Sequence, residues 1–457
     1  MQAISANYRK FLTGRAKWTG MDGFKATPPD FLFPFQASLV EWALAKGRAA
    51  VLADCGLGKT AMQLAWADQV VKHTNRPVLL LTPLAVGAQT LREAEKFGID
   101  AERSRDGSIT GKPQVCITNY QQLHKFSPDQ FAGVVGDESS AIKDFKSATK
   151  SIVTDFMRNI KFRSLWTATA APNDYWELGT SSEALGYLGF RDMITTFFKQ
   201  ETTKDDLGWG RTKYRFRGHA EHPFWSWVCS WARCIRNPSD IGFDDDGFDL
   251  PPLHEHEHIV NALKCREGFL FSLPAKRLPE QREERRNSIA ERVAKACELV
   301  EAHDGPSAIW CELNDEGKAL EKTIANSVQV TGSMPDEQKE EIFEGFSSGS
   351  IQRLITKPKI GCWGLNWQHC CHEVVFPSHS FEQYYQLVRR CWRFGQTNPV
   401  NIHVVASEGE AGVLKNLKRK AMQADAMFDS LTKHMNDPQH ITKLDRFIEK
   451  ESIPSWL

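Results

Sequence analysis

The chain has no long apolar run. Nothing in it approaches the roughly 20 residues a bilayer-spanning helix needs. The opening Met1-Gln2-Ala3-Ile4-Ser5-Ala6-Asn7-Tyr8-Arg9-Lys10 lacks the apolar core of a secretion signal. The expected location is therefore the cytoplasm. A disulfide framework is missing too: the 11 cysteines are odd in number and scattered, which points to reduced thiols. Cys229 and Cys234 stand too far apart for a Cys-x-x-Cys knuckle, and Cys370-Cys371-His372 has no matching second pair, so structural zinc is not expected. Nor is there a surplus of charge. Lys plus Arg and Asp plus Glu number 57 each, which excludes a protein that coats polyanions wholesale but leaves room for a local basic groove. What remains is 457 residues of ordinary globular composition, 41% hydrophobic and 25% charged, enough for two or three domains.

The most informative stretch is Ala53-Asp54-Cys55-Gly56-Leu57-Gly58-Lys59-Thr60. A buried strand, Ala49-Ala50-Val51-Leu52, precedes it and a helix, Ala61 to Ala67, follows. Strand, glycine-bearing loop, Lys-Thr and helix form the context of a phosphate-binding loop. Gly56 and Gly58 would let backbone N–H groups turn toward an anion, and the helix N-terminus would add the positive end of its dipole. Lys59 would reach the β- and γ-phosphates of ATP, and the Thr60 hydroxyl would ligate Mg²⁺. Ala53 stands where the strict pattern has glycine, giving the shorter form that helicase-like ATPases carry. A chance Gly-Lys-Thr turn is the plain alternative.

Other strands follow with helices between them: Pro77–Pro83, Val115–Tyr120, Phe131–Glu138 and Ser164–Ala170. Alternating strands and helices, with polar residues just past the strand ends, predict a doubly wound parallel sheet whose site lies along that edge. Asp137-Glu138 falls at such an end. Asp137 would hold Mg²⁺, through a water, and Glu138 would polarise the attacking water. Gln36, ahead of the first strand, could read an adenine edge with its amide donor and acceptor. A surface position on a helix is its alternative. In the second half, βαβ order returns at Ser307–Cys311, Val328–Gly332 and Gln352–Thr356 without a second phosphate loop. Arg390 and Arg393 are three apart, which predicts one helix face and a guanidinium pair for γ-phosphate oxygens. A basic surface helix would look similar.

These motifs resemble one family. Asp137-Glu138-Ser139-Ser140-Ala141-Ile142-Lys143-Asp144 is similar to the Asp-Glu-x-His-x-x-Lys-Asn element of Swi/Snf-type DNA translocases, within superfamily-two helicases. Ser140 stands where the family usually has histidine. Thr167-Ala168-Thr169-Ala170-Ala171-Pro172-Asn173 resembles the third motif, with Ala168 for glycine. Gln386-Leu387-Val388-Arg389-Arg390-Cys391-Trp392-Arg393-Phe394-Gly395-Gln396 matches the sixth. Gly364-Leu365-Asn366-Trp367 resembles the fifth, although Lys357-Pro358-Lys359 sits where small residues are usual. The resemblance covers roughly residues 30–405. It implies two RecA-like lobes, with ATP bound on the first, contacted by Gln36, Gly56, Gly58, Lys59, Thr60, Asp137 and Gln386, and faced by Arg390 and Arg393. It also implies duplex DNA as partner, and translocation or remodelling rather than wide strand separation.

The expected organisation is a first lobe over 1–250, with a helical and aromatic insertion at about 190–250, and a second over 251–457 with a helical tail. In the insertion, Lys213-Tyr214-Arg215-Phe216-Arg217 suits a nucleic-acid surface, whereas Trp227 and Trp231 suit packing on one helix face. His254, His256 and His258 alternate along an expected edge strand, and a zinc site there is the less favoured reading. The rival functions are an RNA-directed helicase of the same superfamily, a nucleotide-gated scaffold that does not hydrolyse, and a metal-dependent nuclease. The chain's compactness and lack of histone-reading modules lean toward a bacterial or viral source.

Overall fold

The structure is a computed structural model, and it describes residues 21–169, 171, 174–204, 210–261, 278–361 and 365–435. The chain divides into two units, Met1–Asp245 with Ala424–Leu457, and Asp246–Gln423. Among the described residues no helix is long and apolar enough to cross a membrane.

The first unit is built on strands β1 (Arg48–Ala53), β2 (Val78–Thr82), β3 (Ala101–Arg103), β4 (Val115–Asn119), β5 (Gly133–Asp137) and β6 (Phe162–Thr167). Further along the chain come β7 (Phe198–Lys204), β8 (Gly210–Phe216) and β9 (Ala232–Ile235). Seven of these form a parallel sheet in the order β3-β4-β2-β5-β6-β1-β9, while β7 and β8 pair antiparallel by themselves. Val78-Leu79-Leu80-Leu81 is buried throughout, as expected where helices cover both faces of a parallel sheet. Crossovers place β6 between β1 and β5, with Leu52 opposite Thr167 and Asp137 opposite Trp166. Three loops that lie far apart in sequence therefore leave the same sheet edge side by side.

The second unit has its own parallel sheet. Its strands are β10 (Leu253–Val260), β11 (Ser307–Trp310), β12 (Ser327–Gln329), β13 (Arg353–Thr356), β14 (His372–Val375) and β15 (Val400–Ser407), in the order β10-β15-β14-β11-β13-β12. Each unit is thus a parallel sheet flanked by helices, the RecA-like architecture the motifs imply. A buried ionic cluster ties helices to this sheet. Arg292 lies 2.7 Å from Glu316 and Arg285 2.7 Å from Glu410, with both carboxylates fully buried. Removing one partner of such a pair leaves an uncompensated buried charge.

The structure departs from the expected boundaries in two places. The stretch 190–250 is not wholly an insertion, because β9 returns to the main sheet beside β1. Its sequence hides this: Arg233 lies in the strand, its guanidinium stacked 4.3 Å over the Trp42 ring. The tail also differs from a second-lobe appendage. The helix Ala411–Met435 runs across the division between the units. Its Met427, Phe428 and Leu431 belong to the same apolar core as Phe224, Trp225, Trp227 and Trp231. Trp227 and Trp231 do pack together, with ring centroids 5.5 Å apart, although Trp231 lies past the end of the helix Glu221–Cys229.

Candidate nucleotide site

The loop after β1 enters the helix Lys59–Thr74 through two glycines with positive φ, Gly56 at 91° and Gly58 at 74°. Only glycine takes these conformations freely. They aim the loop so that the first-turn amides of a 16-residue helix, which have no intrahelical acceptor, face outward. Lys59 folds across its own loop, its Nζ donating to the Ala53 and Asp54 carbonyls at 2.9 Å each. The ammonium is thus held over the loop that would cradle phosphates. Thr60 is the next helical residue. Gln36 reaches this loop from the helix Pro34–Lys46: its Oε1 accepts from the Phe33 N–H at 3.1 Å and its Nε2 donates to the Leu57 carbonyl at 2.9 Å. A Cβ on Gly58 would stand 2.3 Å from that Nε2, so this glycine also makes room for Gln36. Buried at 4% exposure, Gln36 is not a surface helix residue; its observed partners are backbone groups.

Asp137 and Glu138 leave β5 beside this loop. Gln63, one turn into the loop's helix, donates its Nε2 to Asp137 Oδ1 at 2.7 Å, and its own Oε1 is a buried acceptor without a partner among the described residues. Burial first, then the neighbouring Glu138 carboxylate, push the Asp137 carboxyl up to about 6, with Gln63 and Lys59 opposing. A cation there would offset the crowding of two carboxylates, so the donor set of Asp137 and Thr60 fits Mg²⁺. Glu138 has φ at 50°, a left-handed conformation uncommon for a residue with a side chain. Its Oε1 accepts hydroxyls from Thr167 at 2.6 Å, Ser140 at 2.9 Å and Thr169 at 3.4 Å. Ser140, standing where the family usually has histidine, therefore touches the proposed base directly. The Tyr120 hydroxyl donates to the Asp137 carbonyl at 2.6 Å; a Cβ on Gly136 would lie 3.2 Å from that hydroxyl and 2.8 Å from Leu165.

The raised Asp137 value has a consequence for stability. A carboxyl whose folded value lies above its ordinary one of about 3.9 favours folding below that pH. The contribution is lost as pH rises through about 6. Asp137→Asn should therefore raise the melting temperature of the ligand-free protein at pH 7.5, by roughly 2–4 °C per kcal/mol relieved. The gain should vanish by pH 4. Thermal unfolding at the two pH values checks it; a lower melting temperature at pH 7.5 would contradict the assignment.

In the second unit, the structure corrects the expected helix face. The helix Phe381–Cys391 carries Gln386 and Arg390, but it ends before Arg393. The two arginines meet instead at one backbone oxygen. Arg390 Nη1 and Arg393 Nη1 donate to the Leu365 carbonyl at 3.0 and 3.1 Å. Arg390 also donates Nε to the Gln386 carbonyl and Nη2 to Gln386 Oε1, both at 3.0 Å. At 4% exposure it is not part of a basic surface helix. Gln386 thus contacts Arg390, a role the sequence pattern did not indicate. Leu365 belongs to the weakly matching fifth motif, so the fifth and sixth motifs form one hydrogen-bonded group. Gly364 lies outside the described residues, as do Ala170, Pro172 and Asn173 of the third motif.

The alternating histidines do lie on a terminal strand of the second sheet, where β10 pairs with β15. Among the described residues, no group of three or more His, Cys, Asp or Glu is arranged to hold a metal ion. His258 Nε2 instead lies 3.0 Å from His403 Nδ1, and His256 stacks on His403 at 4.9 Å. Burial, together with the neighbouring imidazoles, lowers His403 to about 4. Cys370 is buried, its thiol turned to the Pro306 and His372 carbonyls, each at 3.3 Å.

Residues 291–395 match the family model described as the helicase conserved C-terminal domain. Among solved structures, the chain is similar to the Sulfolobus solfataricus SWI2/SNF2 ATPase core in complex with dsDNA. The two are 16% identical with a TM-score of 0.42, over 90% of this chain and 96% of that one. A comparison with curated proteins finds no match.

Proposed function

Starting from a helicase-type chain whose second unit carries a helicase conserved C-terminal domain, we propose that the protein hydrolyses ATP to move along or remodel duplex DNA. One observation carries the reading: the Lys59 loop, Asp137 and the Thr167-anchored Glu138 converge on one sheet edge of the first unit. Lys59 and the first-turn amides hold the phosphates. Asp137, through a water, and Thr60 would hold Mg²⁺, which when bound would offset phosphate charge. Glu138 takes the proton of the attacking water, and the three hydroxyls on its Oε1 orient the carboxylate. Arg390 and Arg393, preset by Leu365 and Gln386, stabilise charge on the γ-phosphate. Gln36 sets the loop, its amide bridging the Phe33 N–H and the Leu57 carbonyl.

Duplex DNA as partner rests on the Asp137–Ser147 and Gln386–Gln396 resemblance. ATP hydrolysis measured with duplex DNA, single-stranded DNA and RNA tests it. Duplex should stimulate most. Maximal stimulation by RNA would favour the RNA-directed alternative, and absence of hydrolysis would favour the scaffold.

A further inference from the structure

We propose that the first unit carries a second phosphate-binding strip, formed by the β7–β8 hairpin and the cleft at its base, that takes the backbone of a nucleic-acid strand. The proposal rests on the motor reading for the identity of the polymer, and on separate residues for the site. The hairpin has two unlike faces. Phe198 and Phe216 stack at 4.7 Å and Tyr214 meets Trp176 at 5.7 Å, which fixes one face onto the core. The other face is charged. Lys199 and Arg215 are opposite each other in the register, 55% and 64% exposed, and share Glu201 at 2.9 and 3.1 Å. The register places Lys213 opposite Glu201 and Arg211 opposite Thr203. Cationic residues therefore recur at every second position of β8, roughly 7 Å apart. That spacing suits a polymer with one negative charge per repeat.

The strip does not stop at the strand. Arg217, exposed, is steadied by donating Nε to the Phe198 carbonyl at 2.8 Å. The chain then enters a cleft of about 720 Å³ lined by His219, His222, Trp225, Lys433 and His434, with Glu221 as its one carboxylate among the described residues. His222 and His434 meet edge to face at 4.9 Å, and His434 Nδ1 lies 2.7 Å from the Ser430 carbonyl. Trp225 is 1% exposed and its indole N–H, a donor only, has no acceptor among the described residues. Among the described residues no aliphatic side chain lines the cleft, so it offers an apolar partner little. The whole chain is charge-balanced, with 57 residues of each sign. The local excess of cations is thus a feature of placement and not of composition. Phosphodiester oxygens can accept from such donors, and Arg and Lys are the groups that position such polymers.

The test uses the full chain with Arg215→Ala, Arg217→Ala and Lys433→Ala combined, and separately Arg215→Glu, each first checked for an unchanged melting temperature. Binding of a fluorescent duplex and of a fluorescent single strand is followed across a salt series. The triple variant should bind about 10–100-fold more weakly at low salt, and its plot of log K against log salt should flatten by roughly 2–3. Arg215→Glu should flatten it by about 1. Unchanged affinity and slope in both variants would overturn the strip and leave the motor reading standing. Loss of binding to polyglutamate without loss of binding to nucleic acid would likewise overturn it, in favour of an acidic protein partner. Failure of the wild-type protein to bind any nucleic acid would bring down the motor reading, and the strip with it.

Discussion

Replacing Arg390 with alanine is expected to lower ATP turnover by roughly three to five decades, the range typical of arginines that stabilise charge in phosphoryl transfer. That is about 4–7 kcal/mol of transition-state stabilisation. The structure explains why the effect should be near-complete. Three of the guanidinium donors are already committed, to Leu365, to the Gln386 backbone and to Gln386 Oε1. The planar group is therefore fixed before substrate arrives, and little rotamer entropy remains to be lost on binding. Arg390→Lys should recover little of the loss, because one ammonium cannot reproduce the fixed, planar donation to all three acceptors. ATP binding, assigned to the Lys59 loop, should survive in both variants. Nucleotide titration alongside single-turnover hydrolysis separates the two effects. Turnover within tenfold of wild type in Arg390→Ala would remove this residue from the mechanism.

Glu138→Gln should lower hydrolysis by about two to four decades while leaving the fold and ATP affinity intact. The substitution is nearly isosteric. An amide oxygen can still accept from Thr167, Ser140 and Thr169, so the hydroxyl cluster around Oε1 persists. What the amide cannot do is take a proton. The left-handed backbone at this residue is a local cost, and sites that keep such a cost are commonly functional. Phosphate release measured with and without nucleic acid reads the effect. Undiminished turnover would transfer the base role elsewhere.

Much of the first unit was legible in the sequence because β1, β2, β4 and β5 fall on largely apolar runs, whereas β6 begins at Phe162-Arg163, ahead of the expected Ser164–Ala170. The elements that escaped share a physical reason. β3 is three half-buried residues, Ala101-Glu102-Arg103, with no apolar pattern. β9 carries Arg233, whose guanidinium is accommodated by the Trp42 ring and by the Cys229 and Ala232 carbonyls. β14 begins with His372 and Glu373, both buried, and Glu373 is accommodated by a hydrogen bond from Trp310 at 2.7 Å. Propensity cannot foresee polar residues that tertiary partners make tolerable. The site shows the same division. Loop glycines, lysine and acid pair have fixed spacing and could be read directly. Gln63 could have been found from its place one turn after Lys59. The Leu365 carbonyl could not, since a backbone acceptor has no sequence signature.

The central claim is that hydrolysis of ATP at the Lys59 loop is driven by duplex DNA. Its most direct test is the steady rate of phosphate release from the full chain with Mg²⁺ and ATP, in the presence and absence of a blunt DNA duplex. The account predicts slow release alone, at least about tenfold stimulation by the duplex at saturating ATP, and loss of both in Glu138→Gln. A rate that no duplex alters, or one that survives in Glu138→Gln, would contradict it.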